Sequence, residues 1–257
     1  MQLFISGDFC PINRLENLMS DENIEYVFGF MLNKIRISDL AITNLECPLT
    51  ESTKARNKTG PNLKGSLKSS RFLKSAGFNL VTLANNHIMD YGTQGLKDTI
   101  KVLKKDKINY VGAGLSLNQA KSIFYYKKNN INVAIINFTE NEWSTTTGDY
   151  SGSNPINPVQ NFYLINEAKK NADKVIVITH GGHEMYDLPS PRMKKLFRFF
   201  VDVGADVVIN HHTHCISGYE IYKKAPIFYS LGNFIFDNQD IRDNLWNIGM
   251  AVNLIFD

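Results

Sequence analysis

Apolar and polar residues alternate in two rhythms along the 257 residues. Short apolar runs at residues 3–6, 39–43, 80–83, 174–179 and 207–209 each stop at a polar tip, which predicts short buried strands. Between them apolar residues fall at helical spacing. Ile24, Val27, Phe28, Met31, Leu32 and Ile35 predict one helix over 24–35. Further helices are expected over 70–76, stopped by Gly77, and over 94–105, 159–171 and 192–203. Residues 122–126 and 132–138 predict an antiparallel pair. Alternation at Tyr219 and Ile221, at Ile227 and Tyr229, and at Met250, Val252 and Leu254 predicts antiparallel strands in the C-terminal third. The unit of strand, polar tip and helix argues an α/β layered sheet with functional groups at the carboxyl ends of its strands. Residues 51–66 are polar with Gly and Pro and are expected to form a mobile flap. Residues 139–161 are expected to be a lid or a disordered segment, with Trp143 and Tyr150 either stacking on a sugar or flat substrate or, the favoured reading, serving as packing anchors.

Composition adds bounds. With 43% hydrophobic and 21% charged residues, a single domain over 1–257 is the simplest count. Net charge is +3, from 28 basic against 25 acidic residues, and no dense basic patch appears, so nucleic acid is not an expected partner. Lys101, Lys104, Lys105 and Lys107 read as a solvated helix face. The N-terminus has no basic leader, and no apolar run approaches the roughly 20 residues of a membrane span, so a cytoplasmic location is expected. Cys10, Cys47 and Cys215 are odd in number and lack paired spacing, which argues against a disulfide framework.

The polar tips hold the chemistry. The stretch 206–214, Asp-Val-Val-Ile-Asn-His-His-Thr-His, places three of the six histidines (His211, His212, His214) after a buried run. Other tips carry Asp8, Asn44 or Glu46, Asn86 with His87, and His180. Carboxylates, an amide oxygen and imidazoles together suit Mn, Fe or Zn better than Ca or Mg. One or two such ions can polarise a phosphoryl oxygen and activate water, while a histidine outside the metal shell protonates a leaving group. Cys10, two residues past Asp8, would face the same way on an extended segment, as a thiolate ligand or as a small buried hydrophobe.

The order Asp, Glu, Asn-His, His, His-x-His resembles the calcineurin-like metallophosphoesterases. The CapA branch, the poly-γ-glutamate capsule biosynthesis proteins, is the closer match. It is matched at Gly7-Asp8, at Asn44-Leu-Glu-Cys-Pro48, at Ala84-Asn-Asn-His-Ile-Met-Asp-Tyr-Gly92, at His180-Gly-Gly-His-Glu184, from Gly204 to His214, and at Tyr229-Ser-Leu-Gly-Asn-Phe234. This resemblance implies a four-layer α/β/β/α sandwich with the site along one rim of the sheets. It further implies Asp8 and His214 on a first metal, Glu46 bridging, and Asn86, His180 and His212 on a second. His87 would be the general acid, with Asp90 either holding its tautomer or serving as a turn residue. Glu184 would orient a ligand or substrate, or be a surface carboxylate. His211 and His212 are interchangeable on spacing alone, and Asn233 is either a strand-end cap near the rim or part of a tight turn. Two departures weaken the first metal: Cys10 stands where the wider superfamily has histidine, and Glu46 where it has aspartate. The implied function is a metal-dependent hydrolase, a phosphoesterase, in capsule or poly-γ-glutamate biosynthesis. It would act on a small molecule or polymer precursor, with capsule-synthesis proteins as partners. Hydrolysis at an amide or γ-glutamyl bond, and a non-catalytic component binding polymer or a synthase, are the competing readings.

Overall fold

The computed structural model describes residues 1–238 and 245–257. The chain opens with β1 (Gln2–Cys10), continues through the short helices α1 (Ile24–Phe28) and α2 (Met31–Ile37), and returns as β2 (Leu40–Leu45). Next come α3 (Lys68–Ala76), β3 (Leu80–Thr82), α4 (Gly92–Lys105), β4 (Asn109–Val111), β5 (Ala113–Gly114) and α5 (Leu117–Ala120). A second half follows with β6 (Phe124–Lys128), β7 (Ile131–Thr139), β8 (Gly152–Ser153), α6 (Pro158–Asn171), β9 (Lys174–His180), α7 (Pro191–Val203) and β10 (Val207–His211). It closes with β11 (Tyr219–Tyr222), β12 (Ala225–Phe228), β13 (Asn233–Phe236) and β14 (Ala251–Ile255).

Two sheets stack face to face. One runs β13-β1-β2-β3-β4 with β14 also on β1, and the other runs β11-β12-β10-β9-β7-β6. Central strands are parallel and apolar on both faces, as strands covered on both sides must be. Their period of two divides each strand between two cores. Leu3, Ile5, Leu40 and Ile42 meet Val133, Ile135, Ile176 and Ile178 between the sheets. Phe4, Ala41 and Val81 face Phe28, Phe72 and Leu96 on the helix side of the first sheet. Ala134, Ile136, Val175 and Val177 face Ile165, Phe197 and Phe200 on the helix side of the second. Helix, sheet, sheet and helix form the four expected layers.

Several local expectations are corrected. The single helix over 24–35 is broken at Gly29, whose φ of +51° and ψ of −137° no helix accommodates. The first strand does not end before Gly7: β13 pairs in parallel alongside Asp8, Phe9 and Cys10, so β1 runs to Cys10. The tight turn considered around Asn233 is therefore the start of a strand. In the C-terminal third β11 and β14 are antiparallel to their neighbours, but β12 lies parallel to β10. Alternation records exposure of alternate faces and carries no strand direction. Residues 51–66 lack helix and strand but are tied down, since the amides of Arg56 and Leu63 donate to the Asp90 carbonyl and carboxylate at 2.7 Å each. Residues 139–161 are bound into the fold through β8 on β5 and the start of α6. Trp143 and Tyr150 do not anchor that segment by burial, being 41% and 77% exposed.

Gly7 brings β1 against the turn before β13, and the Asp8 amide donates to the Gly232 carbonyl at 3.1 Å. A Cβ on Gly7 would lie 2.0 Å from that oxygen. Gly7→Ala is therefore expected to destabilise the protein by about 1–3 kcal/mol, as overpacking against fixed backbone does. Denaturant unfolding of the variant, with an unchanged midpoint as the contrary result, checks it.

Candidate metal centre

The carboxyl ends of β1, β2, β9 and β10 converge on one rim. Asp8 sits where the pairing of β1 slips against both neighbours, between Ile5 and Asp8 toward β2 and between Asp8 and Phe9 toward β13. This irregularity directs its carboxylate to the rim, where Oδ1 accepts from Asn44 Nδ2 at 2.7 Å and Oδ2 from the His212 amide at 3.1 Å. Asn44 is itself held: its Oδ1 accepts from the Thr82 hydroxyl and the Asn85 amide, at 3.2 and 3.4 Å. Asn85 also donates to the Leu45 carbonyl at 2.8 Å, fixing the turn that presents Asn86 and His87.

Glu46 follows β2 directly, is fully buried, and among the described residues has no hydrogen-bond partner on either carboxylate oxygen. Around it stand His180 Nε2 at 3.4 Å and His214 Nε2 at 3.6 Å from Oε1. His180 Nε2 also lies 3.1 Å from Asn86 Oδ1 and 3.1 Å from His212 Nδ1. Ligands about 2.0–2.1 Å from a tetrahedral divalent ion stand roughly 3.3 Å from one another, which is the spacing seen here. Two buried triads, Glu46 with His212 and His214, and Asp8 with Glu46 and His180, have donor atoms within 4.8 Å of each other. They share Glu46, as a bridging carboxylate requires. The orphaned carboxylate and this donor set fit a divalent metal.

His214 is oriented from behind. Its Nδ1 donates to Asn233 Oδ1 at 2.9 Å, and Asn233 Nδ2 donates in turn to the Trp246 carbonyl at 3.0 Å, which sets the amide's direction. Nε2 is thereby left unprotonated on the side of Glu46. The rings of Trp246 and Phe236 pack on the imidazole at 4.5 and 5.2 Å between centroids. His212 and His214 have φ of +89° and +54°, a conformation that non-glycine residues adopt at a cost and that clusters at functional sites.

Burial dominates the electrostatics. It pushes Asp8 up to about 7, against the pull of Asn44 and the His212 amide, and pushes Glu46 well above the carboxylate range. It also pushes His211 and His212 down to about 3, His214 down to about 4, and His180 well below its ordinary value. Burial thus favours neutral imidazoles, the form that ligates, and favours the protonated form of the carboxyls until a cation replaces the proton.

The family described as "Bacterial capsule synthesis protein PGA_cap" matches residues 2–238. The chain belongs to this family. It is 38% identical over 240 residues to the Capsule biosynthesis protein CapA of Bacillus anthracis, covering 90% of this chain and 58% of the relative. It is 35% identical over 235 residues to the PGA biosynthesis protein CapA of Bacillus subtilis (strain 168), covering 90% and 62%. The chain therefore spans about six-tenths of the length of these relatives. Among solved structures, a hypothetical protein from Thermus thermophilus superposes with a TM-score of 0.53 at 18% identity, over 91% of this chain and 77% of that one. A second protein of that organism gives 0.51 at 9% identity, over 90% and 89%. At such identities the likeness concerns the fold alone, a layered α/β sandwich. No helix among the described residues is long and apolar enough to cross a membrane.

The PGA_cap rim brings together Asp8, Glu46, Asn86, His180, His212 and His214, all buried. His87 lies beside them, and its Nδ1 donates to Asp90 Oδ2 at 2.7 Å, so Asp90 holds the ring and is more than a turn residue. Of the adjacent histidines, His212 joins Glu46 and His214, whereas His211 Nδ1 lies 3.4 Å from Asp8 Oδ1 without a hydrogen bond. Glu184 and its neighbour His183 are exposed, and Glu184 touches Glu46 only through its charge. Cys10 points away from the donors. The slip at Asp8 and Phe9 breaks the two-residue alternation, and Cys10 packs in the helix-side core with its thiol on the Glu46 carbonyl at 3.9 Å. Burial and neighbouring Cys47 push that thiol further up.

Sequence reasoning missed two groups. Lys58, buried within the polar stretch 51–66, pairs with Asp90 and lies 3.2 Å from His87 Nδ1. Glu142, from the segment expected to be a lid, reaches within 3.6 Å of His212 Nε2. Both come from irregular segments, where neither periodicity nor motif points inward.

Metal addition near pH 6 is expected to release protons, because Asp8, pushed up to about 7, retains its proton there while His212 and His214 are already neutral. Release should diminish as pH rises through about 7, where Asp8 has ionised. Calorimetric titration with Zn²⁺ or Mn²⁺ in buffers of different ionisation enthalpy measures it, and proton uptake would contradict it. Asn233→Ala should weaken metal binding by about 10–100-fold, the usual cost of losing a partner that orients a ligating histidine. Competition against a chelator reads that loss.

Proposed function

We propose that this chain is a metal-dependent hydrolase, acting as a phosphoesterase in capsule or poly-γ-glutamate biosynthesis. The observation that carries this reading is Glu46, a buried carboxylate without a hydrogen bond among the described residues, flanked by imidazole nitrogens at the spacing of a shared coordination shell. Asp8, Glu46, Asn86, His180, His212 and His214 would hold one or two divalent ions, with Mn, Fe or Zn suited to the donors. Such an ion supplies Lewis acidity toward a substrate oxygen and makes water more acidic.

The chain's own residues do the rest. Asp90 accepts a hydrogen bond from His87 Nδ1, and in the doubly protonated ring Nε2 carries the proton that would pass to a leaving oxygen, leaving the ring neutral. Lys58 pairs with the other oxygen of Asp90 while lying 3.2 Å from His87 Nδ1, so the buried carboxylate is paired. His87 is 7% exposed, which leaves it within reach of a substrate at the rim.

Hydrolysis at an amide bond is the second reading, and the relatives' names favour it. The similar Bacillus subtilis protein is named for PGA biosynthesis, and a Mycobacterium tuberculosis relative, 28% identical over 172 residues, is a "probable polyglutamine synthesis accessory protein". Glutamate and glutamine polymers are joined by amide bonds, which metal-activated water also attacks.

Metal analysis of protein purified without chelator, with turnover of alkyl and aryl phosphates and of glutamyl amides, tests these readings. His87→Ala is expected to lower phosphate turnover by roughly 10²–10⁴-fold with metal content unchanged, and by less for aryl leaving groups, which need little protonation. His180→Ala should lower metal and turnover together. A metal-loaded wild-type protein that turns over none of these substrates would leave polymer or synthase binding as the function.

A further inference from the structure

Bordering the turn of residues 85–92, which presents Asn86 and His87, lies a cavity of about 790 Å³. Three cations line it, Lys54 and Arg56 from the loop before α3 and Lys97 from α4, against a single carboxylate, Asp149. Lys54 and Lys97 are exposed, and among the described residues neither ammonium has a hydrogen-bond or ion-pair partner. Their charge is not used to hold the fold. Arg56 is used in part: its guanidinium donates to the Trp143 carbonyl and its amide to the Asp90 carbonyl, which ties the two walls of the cleft together. Between these cations the lining is hydroxyl-rich, with Thr93 and Ser151 in mutual contact at 2.6 Å. The cleft adjoins the candidate centre through Ser144, a lining residue whose hydroxyl donates to the Asn85 carbonyl at 2.6 Å.

We propose that this cleft is a subsite for an anionic chain that carries carboxylates, lying beside the metal centre. The cavity is far larger than a single oxyanion needs and falls in the range of pockets that enclose an extended ligand. Its cations stand on two separate elements, which suits charges repeated along a chain. A nucleic-acid groove would call for a dense basic stripe, and the near balance of 28 basic and 25 acidic residues does not provide one. Hydroxyls and ammonium groups donate well to carboxylates, and their charge-assisted bonds are the strong ones. The subsite rests on the hydrolase reading only for the fate of the bound chain. Binding stands without it.

The test is fluorescence anisotropy of labelled α- and γ-linked glutamate oligomers with the full chain at low salt. Binding is expected, and it should weaken as salt rises. Lys54→Glu combined with Lys97→Glu should weaken it by at least about fivefold, since two favourable charges become repulsive. Metal content and thermal midpoint should stay at wild-type values, because neither side chain supports the fold. A milder pair, Lys54→Gln with Lys97→Gln, should fall between. The proposal is overturned if wild-type protein binds neither oligomer, or if the double reversal binds as wild type does. It is also overturned if an oligothymidylate binds as tightly, or if inorganic phosphate alone displaces the oligomers at equal concentration. Loss of oligomer binding in the variants of a protein that hydrolyses nothing would sink the hydrolase reading and leave the subsite standing.

Discussion

A fully buried carboxylate with nothing to accept from is expensive, and among the described residues Glu46 is such a group, at the meeting point of both sheets. Burial favours its protonated form. Imidazoles arrive from the second sheet and Asp8 from the first, so what relieves Glu46 also joins the two halves of the sandwich. The site is therefore a structural seam as well as a candidate reaction centre.

Neutral amides hold this seam in place. Asn44 and Asn85 fix the first-sheet tips. Asn137, in β7, accepts from the Ala84 amide at 2.7 Å and donates to the Ile178 carbonyl at 3.1 Å, so it spans from one sheet to the other. Asn210 donates to the Gly181 and Tyr229 carbonyls, and Asn233 sets the tautomer of His214. An amide offers donors and an acceptor with no net charge, so it can satisfy stray strand-end groups deep in the protein without competing for a cation. Beyond this shell the rim divides by charge. Glu142 and Glu184 lie toward the second sheet, and Lys54, Arg56, Lys58 and Lys97 toward the loop and helix of the first.

Most of the architecture was legible in the sequence because strands covered on both faces leave continuous apolar runs that end at polar tips. Asp8, Glu46, Asn86, His180, His212 and His214 were legible as candidates for the same reason, each following an apolar run, with His212 and His214 sharing one. Hidden from the sequence were features that depend on partners far along the chain. The extension of β1 past Gly7 is held by β2 on one side and on the other by β13, which comes alongside more than two hundred residues later. The break at Gly29 is one glycine's backbone choice within an unbroken helical pattern.

Sequence by itself determined which residue types stand at the strand ends, and so the kind of chemistry the rim can hold. Tertiary structure alone decided their directions. It chose His212 over His211 for the group around Glu46, turned Cys10 into the core through the slip at Asp8, and gave Asp90 and Asn233 their histidines. It also drew Lys58 and Glu142 out of irregular loops to the site's edge. The reason is physical: periodicity encodes burial, whereas ligation and hydrogen bonding depend on the orientation of individual atoms, which is set only when distant segments pack.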